Sequence, residues 1–404
     1  MEVAFWLAAS LVFYAYAGYP ALIVLAATLR PRGVARRAGH TPDATVLVVV
    51  NDEEAVIAAK LDNLLCLDYP KDRLQIVVVS DGSIDRTDEI VKDYEARGIE
   101  LMAVPGPRGK AAALNQAVPH ARGEMLVLTD ARQPLAPDAV RALASYLADP
   151  TVGAVSGEMH LVAPSEGGVK GVGLYWNYEK LIRRAESRFD STVGVTGAFY
   201  AVRKELFVPL DPRTILDDVA LPMEIAMRGY RVVFAPEARA WDEVAATPSR
   251  EYRRKVRTLA GNYQLVSLRP ALLDPLRNRL FWQFVSHKMA RLAVPFGLLA
   301  TAATSLGLAL LGSRLYLGIF ALQALFYALA AGGGLRAEWG LAPVRILSLP
   351  HTFVMMNLAV VRGLRGFLGG TETANWKAPR EARPAGDRDA RAAGAIDGGD
   401  EARP

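Results

Sequence analysis

Three acidic turns hold the residues best suited to chemistry. Asp81 follows the apolar run at 74–80 (LQIVVVS), Asp130 ends the run at 125–128 inside LVLTDAR, and Asp217-Asp218 opens TILDDVALP. A carboxylate at a strand end can hold a divalent cation against nucleotide phosphates, and one facing a hydroxyl can take its proton. Plainer roles exist for both kinds: Asp130 as a turn cap, and Asp217-Asp218 as a helix N-cap pair. Apolar runs of this length bounded by turn residues fit buried strands of a parallel sheet. Ligands of such sheets sit beyond the carboxyl ends of the strands, so Asp81 and Asp130 should meet at one edge.

The elements that must position them alternate. Strands are expected at 45–50 (TVLVVV), 74–80 and 101–104, with a further strand ending at Asp130. Between them the helical spacing of apolar residues predicts helices at 52–65, from an Asp85 cap to 96, and at 110–118. This is the pattern of right-handed βαβ units and an α/β fold with a mostly parallel sheet. Residues 151–245 are less regular, with strands expected at 152–156, 193–201 and 231–235, and helices at 175–187 and 216–228.

Of the 404 residues 51% are hydrophobic and 22% charged, a mixture that implies a soluble domain joined to membrane segments. Residues 3–29 carry no charge and are long enough to cross a bilayer, and Arg30, Arg32, Arg36 and Arg37 follow at once. By the positive-inside tendency the anchor at 1–30 leads into a cytoplasmic domain at 44–270. Residues 276–291 mix aromatic and basic side chains like a helix lying in the interface, and 292–311 and 315–331 can each span. Arg345, Pro350, His351 and Asn357 interrupt 344–361, which is expected to be interfacial or re-entrant within the C-terminal membrane helices at 292–361. The tail at 378–404 lacks apolar periodicity and is expected to be disordered.

Charge and thiol content exclude other classes. The net charge of +5 is modest and no basic block is interleaved with aromatics, which argues against a nucleic-acid partner. Cys66, the single cysteine, is expected in the core of the first soluble helix and cannot form an internal disulfide. His160, His287 and His351 have no metal-ligating neighbours at useful spacing.

The stretches IVVVSDGSIDRT, RGKAAALN, LVLTDAR, TGAFYAVRKELF, TILDDVALP and RRKVRTLAGN stand in that order across about 45–268. In these the chain resembles a membrane-embedded family 2 glycosyltransferase, of the kind that includes cellulose, chitin, hyaluronan and poly-N-acetylglucosamine synthases. The resemblance implies a GT-A fold and inverting transfer from a UDP-sugar, with UDP-N-acetylglucosamine the first guess. The acceptor would be a polysaccharide or a lipid-linked sugar at the inner membrane, with polysaccharide-export proteins as possible partners.

The same resemblance assigns the residues. Asp81 would bond the uracil, Glu53 would contact the nucleotide, and Lys110 would sit near the diphosphate. Asp130 matches the first position of D-x-D and would bind Mg²⁺ or Mn²⁺. Asp218, with Asp217 beside it, matches the catalytic base. Arg254 and Arg257 fall where relatives carry Q-x-x-R-W, and their three-residue spacing puts both on one helix face, suited to a diphosphate. Gly197 and Trp176 would lie at the acceptor, and Trp241 is a further aromatic candidate.

Three departures stand against this pattern. Arg132 replaces the second acid of D-x-D, Thr258 replaces the tryptophan of Q-x-x-R-W, and the loop after the first strand is short, VLVVV running straight into NDEEA. The short loop and Arg132 keep open a degenerate, non-catalytic transferase serving as a scaffold. A nucleotidyltransferase stays open because sheets of this kind also bind nucleoside triphosphates, although the RRKVRT helix directly before membrane segments argues against it.

Overall fold

The computed structural model describes residues 1–162, 170–243, 248–341 and 344–374. Seven strands form one sheet: β1 Ala44–Val50, β2 Leu74–Asp81, β3 Ile99–Val104, β4 Met125–Thr129, β5 Val152–Val162, β6 Phe199–Arg203 and β7 Arg231–Glu243. Their spatial order is β3-β2-β1-β4-β6-β5-β7. β1 pairs in parallel with β2 and β4, and β2 with β3, whereas β6 runs antiparallel to both β4 and β5.

Continuous Val/Leu runs form these strands because both faces of the sheet are covered. Alternate residues of β1 and β4 enter opposite layers. Val46, Val48, Val50 and Val127 pack into one core, and Leu47, Val49, Leu126 and Leu128 into the other. The covering helices are α2 Ile57–Leu65, α3 Thr87–Lys92, α4 Lys110–Ala117, α5 Ala139–Leu147, α6 Lys170–Phe189, α7 Asp217–Met227 and α8 Pro248–Leu268, with α1 (Glu2–Leu29) preceding the sheet. After α8 come α9 (Phe281–Leu310), α10 (Arg314–Glu338) and α11 (Arg345–Leu368).

Among the described residues four helices are long and apolar enough to cross a membrane: α1, α9, α10 and Ile346–Leu368 of α11. The basic segment behind α1 is bound to the sheet domain. Arg32 pairs with Asp190 at 2.7 Å and Arg36 with Glu237 at 2.7 Å. The buried Arg231 guanidinium donates to the carbonyls of Arg32, Gly33, Ser187 and Asp190.

Several expectations change. The first soluble helix starts at Ile57 rather than at 52, because residues 52–54 bond across to the next loop. Asp52 sits at φ 52°, its carboxylate accepting from Ile84 N, while Glu54 N donates to Asp85. The helix expected as far as 96 ends at Lys92, followed by a single 3₁₀ turn. No strand runs from 193. That stretch is a loop with Gly194 at φ 88°, and β6 begins only at Phe199. β5 and β7 are longer than expected because they pair with each other in parallel. Cys66 is exposed at the end of α2, not in the core: the helix closes there and Leu61 and Leu64 supply the buried face. Residues 276–291 form no separate helix, since α9 begins at Phe281 and continues through a π turn at Val285–Met289 to Leu310. The expected disorder of 378–404 lies outside the described residues.

Candidate active site

The carboxyl edge of the sheet gathers the acidic turns as their positions required. β2 ends in Asp81 and β4 stops one residue before Asp130, on either side of β1. The loop from β3 delivers Lys110 at the first position of α4, and α7 opens with Asp217 and Asp218.

Lys110 is the hub. Its Nζ lies 2.9 Å from Asp130 Oδ1, 3.6 Å from Asp217 Oδ2 and 3.2 Å from the carbonyl of Gly197. Although burial opposes its charge, Asp130, Asp217 and the more distant Asp218 hold the ammonium above its usual range. Asp130 is the open member, its side chain 41% exposed. Tyr200, fully buried on β6, donates to Asp217 Oδ2 at 3.4 Å. Burial first, and Asp217 second, raise that phenol well above its ordinary value.

Asp218 packs against Gly197, where a Cβ would lie 2.8 Å from its Oδ2. Glycine is required there for the chain to pass the carboxylate. Burial, then the charge of Asp217, push Asp218 up to about 6, against the pull of Lys288, Lys110 and Arg183. A carboxylate so poised is ionised at neutral pH yet basic enough to accept a proton.

Asp81 closes β2 at the carboxyl edge. It is fully buried, and its carboxylate accepts from the amides of Arg108 at 3.0 and 3.1 Å and Gly109 at 2.7 Å. It thereby pins the loop that presents Lys110. Glu53 is buried in the loop after β1, with its amide donating to Thr87 Oγ1 at 2.9 Å. On α8, Arg254 lies 3.6 Å from Asp242 and Arg257 is half-buried. Trp176 of α6 stands under the ammonium of Lys255, 5.6 Å from ring centre, and so joins α6 to α8 rather than to the carboxylate cluster. Trp241 lies under Arg239 on β7.

Sequence reasoning missed Lys60, Arg183 and Lys288. Lys60 is buried and donates to Thr129 Oγ1 at 2.9 Å and the Gln133 carbonyl at 2.7 Å, fixing the turn that carries Asp130. Burial pushes its ammonium down to about 7, against the pull of Asp130. A lysine on the apolar face of a helical pattern was the available signal. A cleft lined by His40, Arg122, Met125 and Arg203 opens at the other end of the sheet, where β4 begins, away from all these groups.

No group of three or more metal-ligating side chains exists among the described residues. A hard divalent ion bound through substrate phosphates needs only one or two protein carboxylates, and the exposed Asp130 supplies one. The donor set therefore fits Mg²⁺ or Mn²⁺ held jointly with a nucleotide diphosphate.

A mostly parallel sheet with one antiparallel strand and an acidic carboxyl edge is the GT-A arrangement of nucleotide-sugar transferases. The family described as "Glycosyltransferase like family 2" matches residues 42–261, and the chain belongs to it. It is 26% identical over 240 residues to the probable glycosyltransferase YdaM of Bacillus subtilis, covering 56% of each chain. It is 28% identical over 229 residues to the poly-beta-1,6-N-acetyl-D-glucosamine synthase of Staphylococcus aureus, covering 55% of each. The chain thus aligns with about half the length of these curated relatives. Among solved structures, the mannosyltransferase PcManGT of Pyrobaculum calidifontis, in complex with GDP-Man and Mn²⁺, superposes with a TM-score of 0.69. That match has 26% identity and covers 91% of this chain and 100% of the other.

Proposed function

We propose that the protein is a membrane-bound, inverting glycosyltransferase that moves a sugar from a nucleoside diphosphate sugar to a polysaccharide or lipid-linked acceptor. The observation that carries this is the Lys110–Asp130–Asp217 cluster with Asp218 beside it, at the carboxyl edge of the sheet. The acceptor hydroxyl attacks the anomeric carbon, forming the new C–O bond as the bond to the diphosphate breaks. Asp218 takes the hydroxyl proton, and the leaving diphosphate keeps the electron pair. General-base help of this kind is worth roughly 10²–10⁴-fold. Lys110 stabilises charge on the diphosphate, and a divalent ion held by Asp130, when bound, supplies further neutralisation there.

UDP-N-acetylglucosamine is one donor candidate, supported by the name of the staphylococcal relative. GDP-mannose is the other, supported by the archaeal mannosyltransferase complex, which matches over nearly the whole chain. The deciding experiment is release of UDP or GDP from a panel of nucleotide sugars by the purified protein with Mn²⁺ or Mg²⁺. Release from one donor supports the enzyme reading. Neither release nor binding of any donor would return the chain to the scaffold reading.

The orientation follows from α11. Its second half lies along α8 of the catalytic domain: Gly363 against Leu259 and Ala260, Phe367 stacked on Tyr263, and Arg362 over Tyr252. The part before that contact, 345–361, is 17 residues, roughly 26 Å of helix, short of the roughly 30 Å hydrocarbon core. We therefore read α11 as interfacial, with α1, α9 and α10 as the spans and the catalytic domain in the cytoplasm.

A further inference from the structure

The proposed mechanism leaves one cation at the sheet edge without a task. Arg132 lies two residues past Asp130, in the place of the second acid of D-x-D. It is exposed, and among the described residues no hydrogen bond or ion pair holds its side chain.

The turn that carries Arg132 is fixed on both sides. Lys60 of α2 donates to Thr129 Oγ1 and to the Gln133 carbonyl, and Asn63 of α2 bonds both the amide and the carbonyl of Leu135. Trp241 N donates to the Pro134 carbonyl at 3.0 Å. Along β4 and into the turn, side chains alternate between two layers. Met125, Val127 and Ala131 enter the core shared with α2, whereas Leu126 and Leu128 enter the core shared with α4 and α7. Asp130 continues the second series, and its carboxylate meets Lys110 of α4. Arg132 is next in that series, its Cα no more than about 7 Å from that of Asp130. It therefore shares the open side of the edge with the Asp130–Lys110 pair.

Charge decides what this side attracts. Asp217 lies deeper, its side chain 11% exposed, between Lys110 and Tyr200. The open rim thus holds one carboxylate, already matched by Lys110, and a second cation with no partner. A guanidinium forks onto two phosphate oxygens and stays charged, whereas a carboxylate in its place could reach a phosphate only through a divalent ion.

We propose that Arg132 binds the diphosphate of the donor directly, beside Lys110, so that a nucleoside diphosphate binds without a divalent ion and Mn²⁺ adds to an affinity already present. The proposal rests on Asp130 and Lys110 as the diphosphate end of the donor site.

The test is calorimetry of UDP and GDP against the purified full chain, with EDTA and with Mn²⁺. At least one of the two nucleotides is expected to bind in EDTA. Arg132→Gln should weaken that metal-free binding by about 10- to 100-fold, the worth of one charge-assisted hydrogen bond, and Arg132→Lys should recover part of it. Arg132→Asp sets a second carboxylate beside Asp130, so it should remove binding in EDTA and regain it with Mn²⁺. A merely structural side chain would not exchange one cation for another in this way. Because Arg132 is exposed, the melting temperature should stay where it was. Binding by the parent only with Mn²⁺, unchanged metal-free affinity in Arg132→Gln, or equal binding with and without metal in Arg132→Asp would each overturn the proposal. Failure of the parent to bind either nucleotide under both conditions would instead overturn the reading of the active site.

Discussion

Replacing Asp217 by Asn should move the acid limb of the reaction without removing the base. Asp218 stands at about 6 because of burial and the charge of Asp217, with Lys288, Lys110 and Arg183 opposing them. For two carboxylates about 6 Å apart at an effective dielectric of about 20, Coulomb's law gives about 2.8 kcal/mol, a bound of about two pH units. Lys110 lies 3.6 Å from Asp217 and cancels part of that field, so a downward shift of about one pH unit is expected. The sign follows from the base acting in its ionised form. Turnover falls as pH drops through the Asp218 value, so losing a like charge lets the limb slide to lower pH. The assay is kcat/KM for transfer as a function of pH, which reports the free enzyme. A limb that stays in place or moves upward in Asp217→Asn would refute the electrostatic account. An unmodified enzyme whose limb lies far from 6 would refute the assignment of Asp218.

Other outcomes follow from the same geometry. Asp218→Asn should keep donor affinity by calorimetry and lose transfer by roughly 10²–10⁴-fold, and full activity would remove it as the base. The same variant should melt higher at pH 8 than the parent. Its folded carboxyl titrates near 6, above the unfolded carboxylate range, so ionised Asp218 destabilises the fold above that pH and is neutral in effect below about 4. Equal melting temperatures across that range would contradict its burial. Asp130→Asn should abolish divalent-dependent nucleotide affinity while the fold survives, and unchanged affinity with Mn²⁺ would sink the metal assignment. A cysteine at Thr373 in a Cys66→Ser background should resist impermeant thiol reagents on intact cells, and labelling from outside would mean that α11 crosses the membrane. The Cys66 replacement is needed because that thiol is exposed.

Local pattern was enough for the sheet edge and not for the acceptor side. Strand-length apolar runs ending in Asp81 and Asp130 placed both at one edge, because a parallel strand buried on both faces has only its ends free for polar residues. The motif order likewise named Lys110, Asp130, Asp217 and Asp218, and the fold brings these four together. Long uncharged runs fixed α1, α9 and α10 as helices of spanning length, since length and apolarity are properties of the sequence itself.

What lay beyond the sequence depends on long-range contacts. The motif of Asp81 does not show that its carboxylate meets the amides of Arg108 and Gly109, 27 and 28 residues on. Cys66 reads as core until the helix closes at that residue and turns it outward. Lys60 falls on the apolar face of its helix, but nothing local shows what meets its charge. Its partners Thr129 and Gln133 come from a different strand and loop, and only those hydrogen bonds make an ammonium tolerable there. Arg183 and Lys288 are separated by about a hundred residues, and each alone reads as an ordinary surface charge. Only the packing of α6 against α9, through Glu179, Glu186 and His287, brings both charges to bear on Asp218. Spacing along a chain fixes which face of an element a residue takes, but tertiary packing alone decides what that face meets.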